Sequence, residues 1–96
     1  MNEASGEFTI INRLGLHARA AAKLVQLASS YPCEIVASRE GQSANAKSVM
    51  GVLLLCGAKG TRLKLEAKGP RAEEAVEALG ALIGQGFGED DDGSPT

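Results

Sequence analysis

Residues Arg62–Lys68 read RLKLEAK, in which charged and apolar side chains alternate without interruption. Successive side chains of a β-strand point to opposite faces of a sheet, so this period of two predicts a strand with one buried and one solvated face. Gly69-Pro70 then ends the strand in a turn. The rest of the chain has to supply strands that pair with this one and apolar helix faces that cover its inner side.

Three other segments have the composition of β-strands. Glu7–Asn12 is rich in β-branched residues and roughly alternating, and it predicts the first strand. Cys33–Ser38 and Gly41–Ala46 predict the second and third strands, which a short turn joins. The third strand is short and polar, as is typical of a strand at the edge of a sheet.

Three further segments have helical periodicity instead. In His17–Ser29 the apolar residues form a single stripe, and Tyr31-Pro32 ends the helix. Ser48 is placed to cap a short helix over Val49–Leu55, and Ala72–Ile83 repeats its apolar residues every three or four positions. The element order β-α-β-β-α-β-α predicts an α+β domain, in which three helices cover one face of a four-stranded antiparallel sheet.

The size and charge of the chain restrict its function. Its 96 residues suffice for one small domain, and its formal net charge of −2, without a basic cluster, argues against nucleic acid as a partner. The apolar run Val52–Cys56 is too short to cross a membrane, and Met1–Gly6 lacks the features of a signal peptide. We therefore expect a cytoplasmic protein that does not insert into membranes.

The two ends of the chain differ in composition from the middle. We expect a flexible N-terminus over residues 1–6, a folded domain over residues 7–85 and a disordered acidic tail over residues 86–96. Cys33 and Cys56 lack the spacing of a metal site, so we expect reduced thiols that bind no metal.

The segment Gly15–Arg19, GLHAR, holds the only histidine of the chain at the predicted start of the first helix. A helix N-terminus has unpaired N–H groups and a partial positive charge, which together favour phosphate. A phosphoryl group on His17 would lie near the backbone amide of Ala18, and the Arg19 guanidinium would offer further hydrogen bonds. The residues alone leave a second interpretation open, in which His17 is a surface or capping histidine and Arg19 an ordinary solvated residue.

Two separate blocks carry a resemblance to a known family. Gly15–Arg19 is the first block, and Asn45–Val52, NAKSVMGV, is the second. In both blocks, and in the spacing between them, the chain resembles the HPr family of the phosphoenolpyruvate-dependent phosphotransferase system. The likeness extends from about Glu7 to Ile83, and it implies an open-faced β-sandwich fold.

The resemblance also implies a function and the residues that perform it. His17 would be the phosphoacceptor, through Nδ1, and Arg19 would bind the phosphoryl group. Enzyme I would be the donor and the IIA domains of a sugar transport system the recipients, with no cofactor and no metal in the carrier. In those relatives that have this control, an HPr kinase/phosphorylase modifies the serine that corresponds to Ser48. We expect a monomer, as suits a transient carrier.

By the same resemblance, the first two helices would form the surface that binds Enzyme I and IIA domains. The contact residues would be Leu16, Arg19, Val49, Met50 and Leu53. The periodicity of the second helix does not decide whether Val49, Met50 and Leu53 belong to the core or to an exposed docking surface.

One position departs from the family pattern. Ala20 stands where the family usually has a proline directly after the arginine. Alanine is a strong helix former, so we expect the helix to persist and the kinetics of transfer to change. Two alternative functions stay open: a carrier of the nitrogen-related or another regulatory branch, and a binding module that regulates a partner without carrying phosphate.

Overall fold

The computed structural model describes residues 2–55 and 57–88, which form a four-stranded antiparallel sheet with three helices on one face. The strands are β1 (Glu3–Thr9), β2 (Glu34–Arg39), β3 (Gln42–Asn45) and β4 (Arg62–Lys68). The helices are α1 (Ala18–Ser29), α2 (Val49–Leu54) and α3 (Ala72–Gly84), and a 3-10 turn follows at Gly86–Gly88. The predicted element order and the α+β open-faced sandwich are confirmed, and apart from the two chain ends each boundary lies within one residue of the prediction.

The alternating segment that predicts the fold is the central strand β4. The sheet order is β1-β4-β2-β3, so β4 pairs with a neighbour on each side. On the solvated face, Lys68 lies opposite Glu3 of β1 and Glu34 of β2, so opposite charges face each other across the strands. The side chains of β4 that are buried beneath the helices are Leu63, Leu65 and Ala67.

One hydrophobic core lies between the sheet and the helices, and aliphatic side chains dominate it. Because the chain has few aromatic residues, alanines fill much of the interface between the helices and the sheet. The largest fully buried side chains include Ile10, Leu24, Ile35, Leu65, Leu79 and Phe87. Such a core is sensitive to added volume wherever a helix lies close to a strand.

The first strand begins and ends earlier than predicted. Glu3–Gly6 pairs with Leu65–Lys68 of β4, so the prediction of a flexible N-terminus is wrong for residues 3–6. This segment has little intrinsic strand propensity, and pairing with the central strand overrides it. The strand ends at Thr9 rather than at Asn12, because Asn12 is buried in the following turn, where its Nδ2 donates to the Gly15 carbonyl oxygen at 2.8 Å.

The folded domain also extends past the predicted boundary at residue 85. In the turn Gly86–Gly88 the Phe87 side chain is fully buried, and Lys23 Nζ of α1 donates to the Phe87 carbonyl oxygen at 2.6 Å. The prediction of disorder is therefore wrong for residues 86–88, because a lone phenylalanine among glycines still gains from burial. Residues 89–96 and Cys56 lie outside the described residues, whereas Cys33 is a buried free thiol.

Helix α3 lies against β1 at Gly80. A Cβ atom built at Gly80 would clash with Cε1 of Phe8, so one of the two would have to move. The absence of a side chain at Gly80 therefore admits the Phe8 ring at the helix surface, despite the low helix propensity of glycine. Gly84, in the same helix, has no atom within 4 Å of such a Cβ.

The two glycines of α3 should respond oppositely to alanine. Gly80→Ala gains helix propensity but has to displace Phe8, so we expect the free energy of unfolding to fall by roughly 1–3 kcal/mol. Gly84→Ala meets no other atom, so we expect the free energy of unfolding to rise by up to about 1 kcal/mol. Urea unfolding followed by circular dichroism measures both changes. Equal effects of the two substitutions would contradict the packing described at Gly80.

Candidate functional site

His17 is the N-cap residue of α1. Its backbone is extended, and its carbonyl oxygen accepts the first hydrogen bond of the helix, from Ala21 N at 2.8 Å. Its side chain reaches the same helix end, because Nδ1 accepts a hydrogen bond from the Arg19 amide at 3.2 Å. The imidazole therefore lies at the positive end of a 12-residue helix, where unpaired N–H groups collect.

The hydrogen bond from the Arg19 amide shows which nitrogen of the His17 ring faces the helix end. A neutral imidazole has one nitrogen that donates and one that accepts. Since Nδ1 accepts the Arg19 amide, Nδ1 carries the lone pair, and it is directed at the helix N-terminus. The distance of 3.2 Å is at the long end of the range for such a bond.

The loop before His17 is fixed by backbone hydrogen bonds to the loop after α2. Leu16 N donates to the Gly57 carbonyl oxygen at 2.6 Å, and Gly15 N donates to the Asn12 carbonyl oxygen at 3.1 Å. Gly15 has a φ of +68°, and a Cβ there would clash with the Gly57 carbonyl oxygen. Both the backbone conformation and the close approach of the two loops therefore require glycine at position 15.

The side chain of Leu16 belongs to the core rather than to the surface. It is only 6% exposed, and a Cβ built at Gly57 would lie 3.2 Å from its Cδ1. The predicted contact of Leu16 with partner proteins stays a prediction, and the side chain offers little exposed surface for it. Leu16 anchors the loop that carries His17.

The residues that follow His17 have distinct environments. Ala18 and Arg19 are exposed, and their amides belong to the first turn, where no helical carbonyl is available to accept them. Within the part of the chain that the structure describes, no hydrogen bond or ion pair engages the Arg19 guanidinium. Ala20 is fully buried, and α1 begins at Ala18 with alanine in this position, as expected.

Ser48 is the N-cap residue of α2, as predicted. Its Oγ accepts a hydrogen bond from Gly51 N at 3.1 Å. The neighbouring Lys47 Nζ donates to the Tyr31 carbonyl oxygen at 2.7 Å, which ties the start of α2 to the segment after α1. The structural interpretation of Ser48 is thus confirmed, and its phosphorylation stays a prediction.

Helix α2 presents an exposed apolar surface, formed by Val49, Met50 and Leu54, that we call the α2 surface. Met50 is 72% exposed and Leu54 is 73% exposed, whereas Val49 is 38% exposed. Leu53 packs partly buried against the core, so of the residues predicted on this helix it contributes least to the surface. Leu54 was missed by the sequence analysis, although it lies four positions after Met50 and hence on the same helix face.

Leu14, in the loop before His17, is a second exposed apolar residue that the sequence analysis did not identify. Its side chain is 72% exposed. No periodic pattern applies to a loop residue, so the sequence gives no signal that this leucine is exposed.

The described residues contain neither a membrane span nor a metal cluster. Over residues 2–55 and 57–88, no helix is both long enough and apolar enough to cross a bilayer. Over the same residues, no three His, Cys, Asp or Glu side chains converge as metal ligands.

A shifted pKa is found at the far end of α1 from His17. The Arg71 guanidinium donates to the Glu74 carboxylate at 3.2 Å, and it holds the pKa of that carboxyl below its ordinary value. Arg71 also lies over the Tyr31 ring, 5.0 Å from its centre. These contacts join the start of α3 to the segment after α1 and do not reach the His17 loop.

Comparison with known proteins gives a consistent result. Residues 4–85 match the family model described as the PTS HPr component phosphorylation site. The chain is similar to the phosphocarrier protein HPr of Cupriavidus necator, with 52% identity over 81 residues that cover 84% of this chain and 91% of that protein. It is also similar to the phosphocarrier protein NPr of Escherichia coli K12, with 45% identity over 82 residues that cover 84% of this chain and 91% of that protein.

A solved structure has the same fold. The crystal structure of HPr-C-His from Thermoanaerobacter tengcongensis superimposes on this chain with a TM-score of 0.84 at 42% sequence identity. The superposition covers 94% of this chain and 99% of that chain. The likeness therefore extends over the sheet, the three helices and the loop that carries His17.

Substitution of Gly15 tests the contact that fixes this loop. Gly15→Ala should lower the free energy of unfolding by roughly 2–4 kcal/mol, the sum of a positive φ and a clash with Gly57. Gly41→Ala is the matched control, because Gly41 has a φ of +84° but no atom within 4 Å of its Cβ position. This control should lose only about 1–2 kcal/mol in urea unfolding. Equal losses would contradict the contact between Gly15 and Gly57.

Proposed function

Because the chain belongs to the HPr family of phosphocarrier proteins, we propose that His17 accepts a phosphoryl group on Nδ1 and that the chain passes this group to a partner protein. One observation carries the proposal: Nδ1 lies at the N-terminus of α1, within hydrogen-bond distance of the Arg19 amide. The nucleophile and the groups that would bind its product are thus parts of one helix end.

The transfer step is a substitution at phosphorus. The lone pair of Nδ1 attacks the phosphorus atom, and the bond between Nδ1 and phosphorus forms as the bond from phosphorus to the donor breaks. The Arg19 amide then changes its acceptor from Nδ1 to a phosphoryl oxygen, and the Ala18 amide binds a second oxygen. The positive end of α1 stabilises the negative charge that arrives.

The same site can release the phosphoryl group. The Arg19 side chain is exposed, so its guanidinium can donate to a phosphoryl oxygen while water competes for the same bonds. Hydrogen bonds of this kind hold the group only moderately. A recipient whose nucleophile approaches from the solvent side can therefore take it, and Nδ1 regains its lone pair.

We further propose Enzyme I as the donor and IIA domains of a sugar phosphotransferase system as the recipients. The α2 surface and Arg19 would form the docking area, because Met50 and Leu54 are exposed and α2 packs beside α1, which carries the site. A methionine-containing apolar surface adapts to more than one partner. A carrier with these partners would act as a monomer in the cytoplasm.

A second candidate uses the same chemistry with different recipients. The similarity to the phosphocarrier protein NPr, at 45% identity, favours a carrier of the nitrogen-related branch. The two candidates differ only in the protein that receives the phosphoryl group. Incubation of the phosphorylated chain with purified IIA proteins of both branches would decide between them, since the cognate recipient would be labelled first.

Ser48 is the proposed site of regulatory phosphorylation, by an HPr kinase/phosphorylase where the host has one. Its hydroxyl is half-buried and already engaged as the helix cap, through its bond to Gly51 N. A phosphoryl group on Oγ would place about two negative charges beside Val49 and the rest of the α2 surface. That charge would alter docking without touching His17.

Phosphoryl transfer from phosphoenolpyruvate through Enzyme I tests the proposed function. We expect one acid-labile phosphate on the wild type by intact mass, and none on His17→Ala, because His17 is the only histidine of the chain. We expect Ala20→Pro, which restores the residue usual in the family, to retain acceptance with a changed rate.

The decisive control is a cognate Enzyme I of proven activity. If the wild type acquires no phosphate from it, the carrier function is wrong, and a binding module that acts without phosphate takes its place. A His17→Ala variant that still acquires an acid-labile phosphate would equally contradict the assignment of the acceptor.

A further inference from the structure

The described part of the chain ends against helix α1. Phe87 is fully buried, and its carbonyl oxygen accepts a hydrogen bond from Lys23 Nζ at 2.6 Å. A Cβ built at the next residue, Gly88, would lie 3.6 Å from the same Nζ. The chain therefore leaves the domain beside the ammonium group of Lys23.

Lys23 belongs to a basic face on the N-terminal half of α1, which we call the α1 basic face and define as Arg19 and Lys23. The two residues are four positions apart and hence neighbours on one side of the helix. Helix α1, ARAAAKLVQLAS, contains no carboxylate that would neutralise them. The positive end of the helix adds to their charge.

The sequence that follows Gly88 has the complementary charge. Residues 89–92 read EDDD, four consecutive carboxylates, and they lie outside the described residues. An extended residue spans about 3.3–3.6 Å and one helical turn rises about 5.4 Å, so two residues are long enough to pass from Lys23 to Arg19. Carboxylates tethered this close have a high effective concentration at the α1 basic face.

We propose that the acidic segment 89–92 binds the α1 basic face and competes there with the phosphoryl group and with acidic surfaces of partner proteins. The occupant of this face in the unphosphorylated chain is thus the chain's own carboxylates. The competition rests on the proposed function of His17, whereas the contact itself does not. The segment lowers the rate of phosphoryl acceptance at low ionic strength, and added salt restores the rate because it screens the contact.

The contact is tested by NMR on a variant with a neutral segment. This variant carries Glu89→Gln, Asp90→Asn, Asp91→Asn and Asp92→Asn. We expect the amide resonances of Ala18, Arg19 and Lys23 to differ between wild type and variant at low salt, and the difference to shrink at about 0.5 M salt. Identical resonances at low salt would overturn the proposal.

A second variant controls for net charge. It neutralises four exposed carboxylates elsewhere in the domain, by Glu34→Gln, Glu66→Gln, Glu73→Gln and Glu77→Gln. Its net charge equals that of the first variant, so any effect of overall charge appears in both. We expect the resonances of Ala18, Arg19 and Lys23 to stay at their wild-type positions, and shifts equal to those of the first variant would contradict a specific contact.

The rate of phosphorylation by phosphorylated Enzyme I tests the competition. At low salt we expect the neutral-segment variant to be phosphorylated about threefold faster than wild type, the size expected of screened surface ion pairs. The charge control should match the wild-type rate. Resonance shifts without a rate difference would overturn the competition. Resonance shifts without any phosphorylation would leave the contact intact and overturn the proposed function instead.

Discussion

The contact between the Gly15–Leu16 loop and Gly57 determines where His17 lies. The hydrogen bond from Leu16 N to the Gly57 carbonyl oxygen, at 2.6 Å, joins the loop before α1 to the loop after α2. The buried side chain of Leu16 holds the same junction from within the core, and Gly15 leaves room for it. Because this loop enters α1 directly, the junction places the imidazole at the N-terminus of the helix.

The N-terminus of α1 stabilises His17 both before and after the proposed phosphorylation. Before transfer, the Arg19 amide donates to Nδ1, so the imidazole caps the helix and presents a neutral nitrogen with a lone pair. After the proposed transfer, phosphoryl oxygens would take over as the cap, with more negative charge to stabilise. In both states the Arg19 amide has an acceptor, which is why a helix N-terminus suits a group that has to be accepted and then released.

The sequence predicts most of the fold because its central strand is also its most regular one. In Arg62–Lys68 charged and apolar residues alternate because one face of β4 lies under the helices and the other faces water. Strand neighbours on both sides make β4 the central strand. The predicted flexibility of residues 3–6 and disorder of residues 86–88 fail because neither segment produces a periodic signal. Residues 3–6 pair through their backbone, and Phe87 is a single buried side chain. At the site, the positions of His17 and the Ser48 cap followed from local chemistry. The burial of Leu16 and the exposure of Leu54 did not, because both depend on how α2 and its loop pack on the core.

The role of the α1 N-terminus can be tested by ¹⁵N and ³¹P NMR of the phosphorylated chain. We expect a bond between phosphorus and Nδ1 of His17, with the amide proton resonances of Ala18 and Arg19 moving downfield on phosphorylation and returning on hydrolysis. A phosphoryl group on Nε2, or one on Nδ1 that leaves both amide resonances unchanged, would contradict the role assigned to the N-terminus of α1.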